Sequence, residues 1–239
     1  MHTTVILPVY NEAEIIGRVF LEVSRFARQH EEYGFVFVDD GSIDNTAQIL
    51  RELIRQEDNT PLNMLSYSPN RGKGFAVRKG MEQCDTEFFC FTDGDLAYSL
   101  DHLPVLVDAL NSHDVVMGSR NLAGGKQRNI EISRRLMGWG FNLLARMLLK
   151  LPYRDTQAGF KGFRLEAAKR IFAKQQIFDF CFDAELLFLA RRLGFRIAEV
   201  PARVSESHVY RGSQVNLWRD PPRMFLSLLR IRCNSARGK

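Results

Sequence analysis

Hydrophobic residues in the first 120 positions form short β-branched runs that alternate with stretches of helical spacing. The runs TTVILPV, FVFVDDG, LNMLSY, EFFCFTDGD and DVVMGSR predict five strands, the third of them weak. The intervening segments EAEIIGRVFLEVSRFARQ, TAQILRELIRQ, KGFAVRKGMEQC and DHLPVLVDAL have the spacing of helices. This alternation predicts a parallel sheet with helices on both faces.

The pattern changes after Arg120, where regular alternation gives way to longer segments. NLAGGKQRN predicts a mobile loop, ISRRLMGWGFNLLARMLLKL and FDAELLFLARRLG predict helices, and FRIAEVPA predicts a further strand. DPPRMFLSLLRIR begins with prolines, which suit a helix entry, and mixes apolar residues with arginines. No repeat or low-complexity linker divides the chain, so one domain over residues 1–239 is expected.

Charge and cysteine usage narrow the function classes. The net charge is +5, the first hundred residues are neutral to acidic, and the basic residues concentrate after Arg120. A late basic region indicates an anionic partner such as phosphate, nucleic acid or a membrane surface. The four scattered cysteines show no zinc pattern and predict reduced thiols. No apolar run has the roughly 18 residues of a membrane span, and the N-terminus lacks signal-peptide features.

Charged residues follow several of the predicted strands. Glu12 follows the first strand, Asp40 the second, Asp93 and Asp95 the fourth, and Arg120 the fifth. Ligands of parallel sheets bind outside these carboxyl ends. Two carboxylates as close as those of DGD repel each other unless a cation neutralises them, and hard oxygen ligands suit Mg²⁺ or Mn²⁺. The motif therefore predicts a metal–diphosphate site, with a solvated turn as the alternative.

NRGKGFAV places two glycines and Lys73 at a helix start. Exposed N–H groups there can hold an anion, although the spacing is not that of a Walker motif. A plain helix N-terminus is the alternative interpretation.

The segments PVYNEAE, VDDGSIDNT, NRGKG, DGD and GSR, in this order, resemble the family 2 glycosyltransferases over about the whole chain. RDTQAGFKGFRLEAA and FDAELLFLARRLGFRIAEVP are similar to the branch that glycosylates polyprenyl phosphates, with dolichyl-phosphate glucosyltransferases nearest in appearance. The resemblance implies an α/β GT-A (Rossmann-like) fold with a mostly parallel sheet flanked by helices. It also implies a nucleotide-sugar-binding half (1–120), an acceptor-binding half (121–215) and a basic amphipathic C-terminal helix (216–239).

The resemblance further implies roles for individual residues. Those expected to bind the nucleotide sugar are Pro8, Tyr10, Glu12, Val38, Asp40, Asp93, Gly94 and Asp95, to which the Gly-rich helix start adds Lys73. Asp93 and Asp95 would hold the metal, and Arg120 and Arg134 would meet phosphate groups. Arg128 is a further candidate for the acceptor phosphate, because a guanidinium binds phosphate in a bidentate fork. The chain departs from the dolichyl-phosphate mannose synthases at Ala97, where they have glutamine, and at His208 and Gln214, where they have arginine and lysine. Arg211 is a candidate to compensate.

The implied reaction is inverting transfer of a hexose, expected to be glucose, from a UDP-sugar to a polyprenyl phosphate. Because such an acceptor is already ionised, positioning by arginines replaces a general base. The catalytic set is then Asp93, Asp95 and Arg120. The alternative acceptor is a hydroxyl of a glycan, which needs a base. Asp183 is the candidate base, unless it only caps a helix. A nucleotidyltransferase, which would release diphosphate, and a nucleic-acid-binding protein are weaker hypotheses.

Membrane contact is expected through the C-terminal segment, where Arg223 to Arg232 enclose leucine and phenylalanine residues. Together with the resemblance, this implies a cytoplasmic enzyme, peripheral on the cytoplasmic face of the membrane, in cell-envelope or glycan biosynthesis. A membrane-embedded partner protein is a further expectation, and nucleic acid is not. Arg134 and Arg135 stand at a helix start, where cations oppose the helix dipole. We expect Arg134 to serve the acceptor phosphate and Arg135 to extend into solvent.

Overall fold

The computed structural model describes residues 2–57, 60–123, 132–153, 155–204 and 220–237. For residues 132–137, 139, 220–222 and 234–237 the description covers the backbone alone.

Seven strands form one sheet in the order β3-β2-β1-β4-β6-β5-β7. Their bounds are Thr3–Val9 (β1), Tyr33–Asp39 (β2), Leu62–Ser66 (β3), Phe88–Phe91 (β4), Val115–Ser119 (β5), Lys161–Arg164 (β6) and Ile197–Pro201 (β7). Only β6 pairs antiparallel, with β4 on one side and β5 on the other. The predicted mostly parallel sheet is confirmed, and β1, β2, β4 and β5 end at the same edge.

Helices cover both faces of the sheet. Their bounds are Ile16–Gln29 (α1), Thr46–Gln56 (α2), Lys73–Met81 (α3), Leu103–Leu110 (α4), Ile132–Leu149 (α5), Leu165–Phe172 (α6), Phe182–Arg192 (α7) and Asp220–Arg237 (α8). Adjacent residues of a strand point to opposite faces, so Ile6 packs under α3 and α6–α8 while Val5 and Leu7 pack under α1, α2 and α4. Each face therefore has its own apolar core.

The sequence did not predict β6 or α6. Lys161 and Gly162 interrupt what would otherwise be an apolar run, and this hides a strand that lies in the centre of the sheet. Gly162 lets α4 pack closely on β6, since a Cβ there would lie 2.2 Å from a methyl carbon of Leu106. The loop predicted over residues 121–129 lies outside the described residues except for 121–123.

The C-terminal helix α8 packs against α5, and Leu228 and Ile231 of α8 are buried. Among the residues that the structure describes, no helix is both long enough and apolar enough to cross a membrane. The division of the chain into a donor half and an acceptor half stays a prediction.

Candidate active site at the carboxyl edge of the sheet

The DGD turn lies against the end of β1. The backbone N–H of Asp40 donates to the carbonyl of Val9 at 2.9 Å, which joins the ends of β1 and β2. A Cβ on Gly94 would lie 2.2 Å from the carbonyl oxygen of Pro8, so only glycine allows the turn to approach β1 this closely. The structure thus brings the acids after β2 and β4 to one edge, as the parallel order requires.

Asp40 organises the loop that precedes α3. Its carboxylate accepts hydrogen bonds from the Tyr67 hydroxyl at 2.7 Å, the Asn70 amide at 2.8 Å, and the backbone N–H groups of Arg71 and Gly72, both at 2.8 Å. Asp40 is 3% exposed. Asp40 therefore holds the NRGKG loop in place, a structural role that the sequence motifs did not predict. Its predicted contact with the nucleotide stays a prediction.

Lys73, the first residue of α3, forms an ion pair with Asp93 of the DGD turn. The ammonium group donates to Oδ1 of Asp93, and the two side chains are 30% and 28% exposed. Burial would lower the pKa of Lys73, but the carboxylates of Asp93 and Asp183 outweigh it and raise that pKa above its usual value. Lys73 therefore places a positive charge beside Asp93, and the metal site predicted for Asp93 and Asp95 stays a prediction.

Asp95 is the second acid of the turn, and its Oδ1 accepts the N–H of Ala97 at 3.1 Å. Leu96 between them has a left-handed φ of 53°. Within the described ranges, no three His, Cys, Asp or Glu side chains cluster as a metal site. Two carboxylates at a partly exposed turn nevertheless fit Mg²⁺ or Mn²⁺, which usually keep water ligands and bind substrate phosphates. Asp95 would be the main ligand, with Asp93 shared with Lys73.

Asp183 lies in the first turn of α7, and Cys181 rather than Asp183 is the N-cap. Its carboxylate is buried, and Oδ1 accepts a hydrogen bond from the ammonium group of Lys161 at 2.5 Å. Burial raises the pKa of Asp183, and the charges of Lys161 and Lys73 only partly offset this rise. The structure therefore assembles a row of alternating charge, which runs Asp93, Lys73, Asp183, Lys161 and is called the charge row below.

Arg120 follows β5 at the same edge and is held by Asp155. Nε and Nη2 of Arg120 donate to the two carboxylate oxygens of Asp155, both at 2.7 Å. Burial would raise the pKa of Asp155, but the Arg120 guanidinium more than reverses this and holds the pKa below its usual value. The phosphate contact predicted for Arg120 stays a prediction. Arg128, His208, Arg211 and Gln214 lie outside the described residues, and so do the side chains of Arg134 and Arg135.

The loop of residues 155–159 connects the parts of this edge. Besides Asp155, it contributes Thr156, whose N–H and hydroxyl donate to the side-chain oxygen of Asn142 in α5 at 3.1 and 2.8 Å. A Cβ on Gly159 would lie 2.4 Å from each carboxylate oxygen of Asp93. Sequence reasoning missed this loop as a structural unit, because no spacing rule joins it to the strand ends.

The other predicted nucleotide-site residues lie around the end of β1 and β2. Pro8 belongs to β1, and Val38 is fully buried in β2. Tyr10 is half-buried just after β1, and the N–H of Glu12 donates to the Thr46 hydroxyl at 2.8 Å. Their contacts with a nucleotide stay predictions.

Comparison with known proteins decides the family. The family model "Glycosyl transferase family 2" matches residues 4–172. The chain belongs to glycosyl transferase family 2. The family predicted from the sequence motifs is thereby confirmed.

Two curated relatives and one solved structure illustrate the similarity. The chain is 32% identical over 86% of its length to a dolichyl-phosphate beta-glucosyltransferase of Trichomonas vaginalis, and it spans 64% of that protein. It is 30% identical over 96% of its length to the Saccharomyces cerevisiae protein of the same name, spanning 73% of it. Glucosyl-3-phosphoglycerate synthase from Mycobacterium tuberculosis, solved with Mn²⁺, UDP and phosphoglyceric acid, superposes with a TM-score of 0.67 at 18% identity. That superposition covers 97% of this chain and 78% of the synthase. This likeness confirms the GT-A fold.

Proposed function

We propose that the chain is an inverting glycosyltransferase that moves glucose from UDP-glucose to a polyprenyl phosphate, with Mg²⁺ or Mn²⁺ as cofactor. The observation that carries the proposal is the presence at one sheet edge of two pairs, Asp93 of the DGD turn with Lys73 and Arg120 with Asp155. This edge offers oxygen ligands for a metal and two cations for phosphates. The names of the relatives support the acceptor, and the Mn²⁺ and UDP of the structural neighbour support the donor.

Donor binding follows from the chemistry of the DGD edge. A divalent ion bound by Asp95, with Asp93, would neutralise the charge that develops on the leaving diphosphate. Lys73 stands beside Asp93 and adds a positive charge that the α3 N-terminus and the Asp40-bound loop hold in place. A preorganised cation at this position stabilises the leaving group without reorganisation during the reaction.

Acceptor binding follows from the arginines. A polyprenyl phosphate carries its negative charge near neutral pH, so no proton has to be removed before attack on the anomeric carbon. Arg120 presents a guanidinium that Asp155 orients through two hydrogen bonds, and the predicted contribution of Arg128 and Arg134 would complete the phosphate site. Orientation of the two substrates is then the main catalytic task.

The position of Asp183 also favours a phosphate acceptor over a glycan hydroxyl. A general base has to reach within hydrogen-bond distance of the hydroxyl that it deprotonates. Asp183 is 5% exposed, and its Oδ1 already accepts from Lys161. In the proposed reaction Asp183 therefore acts as a counter-ion within the charge row.

Peripheral contact with the cytoplasmic face of a membrane is part of the proposal. The α5–α8 pair exposes Met147, Phe225 and Leu226, and Arg223 and Arg230 on α8 are exposed as well. Apolar side chains edged by arginines suit the interface of an anionic bilayer. A membrane-embedded partner protein stays an expectation.

The test supplies radiolabelled UDP-glucose, Mn²⁺ or Mg²⁺, and a polyprenyl phosphate in detergent, with the matching polyprenol as control. We expect organic-soluble label with the phosphate and none with the alcohol, together with released UDP. Transfer of label to a glycan hydroxyl, or release of inorganic diphosphate in place of UDP, would contradict the proposal. A binding screen of UDP and GDP checks the nucleotide, and tight GDP binding without a UDP response would refute the choice of UDP.

A further inference from the structure

Lys161 is a lysine with no exposed surface, located in β6 at the centre of the sheet. It pairs in register with Phe91, the last residue of β4, two positions before Asp93. Its ammonium group lies 5.7 Å from the centre of the Phe91 ring, and it donates to the Ala158 carbonyl and to Asp183. A fully buried ammonium is retained at a cost in stability, so its location needs an explanation.

The charges around Lys161 alternate in sign toward the DGD turn. Asp183 accepts from Lys161 and attracts Lys73, and Lys73 in turn is bonded to Asp93. The Lys73 ammonium group lies 5.7 Å from the centre of the ring of Phe182, the residue before Asp183, so Lys73 lies between a carboxylate of α7 and one of the turn after β4. Lys161 acts on Lys73 through Asp183, and it also holds the 155–159 loop through the Ala158 carbonyl, so only a double-mutant cycle isolates its effect on Lys73.

We propose that Lys161 is a positioning residue for the donor site, where it holds the Asp183 carboxylate that, together with Asp93, fixes the ammonium group of Lys73 beside the DGD turn. The inference rests on the proposed function for the identity of the donor. A neutral residue at position 161 would leave Asp183 with Lys73 as its remaining counter-ion. Lys73 would then be drawn away from Asp93 and from the place of the donor diphosphate.

The test is a double-mutant cycle between Lys161→Met and Lys73→Met, with donor kcat/KM and UDP affinity as readouts. We expect Lys161→Met alone to lower donor kcat/KM by at least tenfold and to weaken UDP binding. In the Lys73→Met background the same change should lower donor kcat/KM by no more than about twofold.

Phe163→Leu supplies the matched control. Phe163 is fully buried in the same short strand, on the same face of the sheet as Lys161, and packs against the rings of Phe89 and Phe91. Its truncation destabilises the same sheet without touching the charge row. The effects of Phe163→Leu and Lys73→Met on donor kcat/KM should therefore multiply. Independent, multiplying effects of Lys161→Met and Lys73→Met would overturn the proposal.

A second variant tests the proposal if Lys161→Met does not fold. Lys161→Met with Asp183→Asn removes a buried ion pair together, which is often neutral for stability. This double variant should fold and match Asp183→Asn alone in UDP affinity. Wild-type UDP affinity in the double variant overturns the role of Lys161. Failure of the wild type to glucosylate polyprenyl phosphate refutes the proposed function instead, because UDP binding is measured without any acceptor.

Discussion

Replacement of Asp155 by asparagine tests how the candidate site is held together. The change keeps the shape of the side chain and one acceptor oxygen but removes the charge that faces Arg120. Asp155 has a side chain that is 4% exposed, whereas that of Arg120 is 35% exposed. The negative charge that the change removes is therefore buried, while the guanidinium of Arg120 can recover part of its hydration.

The magnitude follows from the two hydrogen bonds of 2.7 Å that join the pair. Hydrogen bonds to charged groups contribute roughly 1.5–3 kcal/mol each. Since the amide retains one acceptor and Arg120 can be hydrated, we expect Asp155→Asn to lower the free energy of unfolding by about 2 kcal/mol. For a chain of this length that corresponds to a fall in Tm of about 4–8 °C.

The pH dependence distinguishes the charge of Asp155 from its shape. The pKa of Asp155 lies below its ordinary value of 3.8 in the folded protein, so the folded state favours the ionised form. The stability that this provides is complete above the unfolded-state pKa and is lost as the pH falls through the folded-state pKa. The difference between wild type and Asp155→Asn should therefore be full at pH 6 and shrink below about pH 4.

Urea unfolding of both proteins at pH 6 and at low pH measures this difference. Asp114→Asn is the matched control, since Asp114 precedes β5 at the opposite end and faces Arg196 at 3.7 Å, with side chains 24% and 68% exposed. We expect it to cost less than about 1 kcal/mol, because Arg196 is exposed and an asparagine keeps an oxygen that can accept the backbone N–H of Arg196. A destabilisation by Asp155→Asn that is the same at both pH values would refute the electrostatic account.

Three further changes test separate parts of the site. Asp95→Ala should abolish donor turnover with only a small fall in Tm, because the side chain is partly exposed and the change removes its hydrogen bond from the N–H of Ala97. Full activity of this variant in EDTA would exclude its metal role. Gly159→Ala should impair donor turnover, since the new Cβ would lie 2.4 Å from the carboxylate oxygens of Asp93. Gly17→Ala is its control, because a Cβ there would have no neighbour within 4 Å. It should leave turnover unchanged and stabilise α1 by about 0.5–1 kcal/mol. Arg134→Ala should cost about 2–3 kcal/mol, or roughly 30- to 150-fold in acceptor kcat/KM, with UDP affinity nearly unchanged. Arg135→Ala is its control, and equal losses for both arginines would contradict the phosphate assignment.

Periodicity predicted the fold where one face or both faces of an element are apolar. Ile16, Val19, Val23 and Phe26 follow the helical spacing of α1 and are buried, and the β-branched run of β1 is buried throughout. The same reasoning failed at β6, where a lysine and a glycine occupy the centre of the sheet. Lys161 is buried because Asp183 neutralises it, and no local pattern contains that partner.

For the candidate site, the positions of the acids could be predicted from the sequence, but their partners could not. Acids that follow parallel strands meet at one edge by topology alone, so Asp40, Asp93 and Asp95 could be placed together from the sequence. Their partners could not be predicted. Asp155 and Arg120 are 35 residues apart, and the antiparallel return of the chain through β6 brings them together. The residue type fixes the charge of a side chain, but the tertiary structure decides which opposite charge that side chain contacts.

The charge row explains why the DGD turn can exist before any ligand arrives. Two carboxylates flanking one glycine repel each other, and the repulsion would favour a distorted or protonated turn. Lys73 relieves it by bonding to Asp93, and Lys73 is itself held by Asp183, whose charge Lys161 sustains in the core. A donor that binds at this edge then meets a cation already in position. In the proposed reaction, the stability cost of burying Lys161 and Asp183 is offset by a leaving-group site that needs little rearrangement.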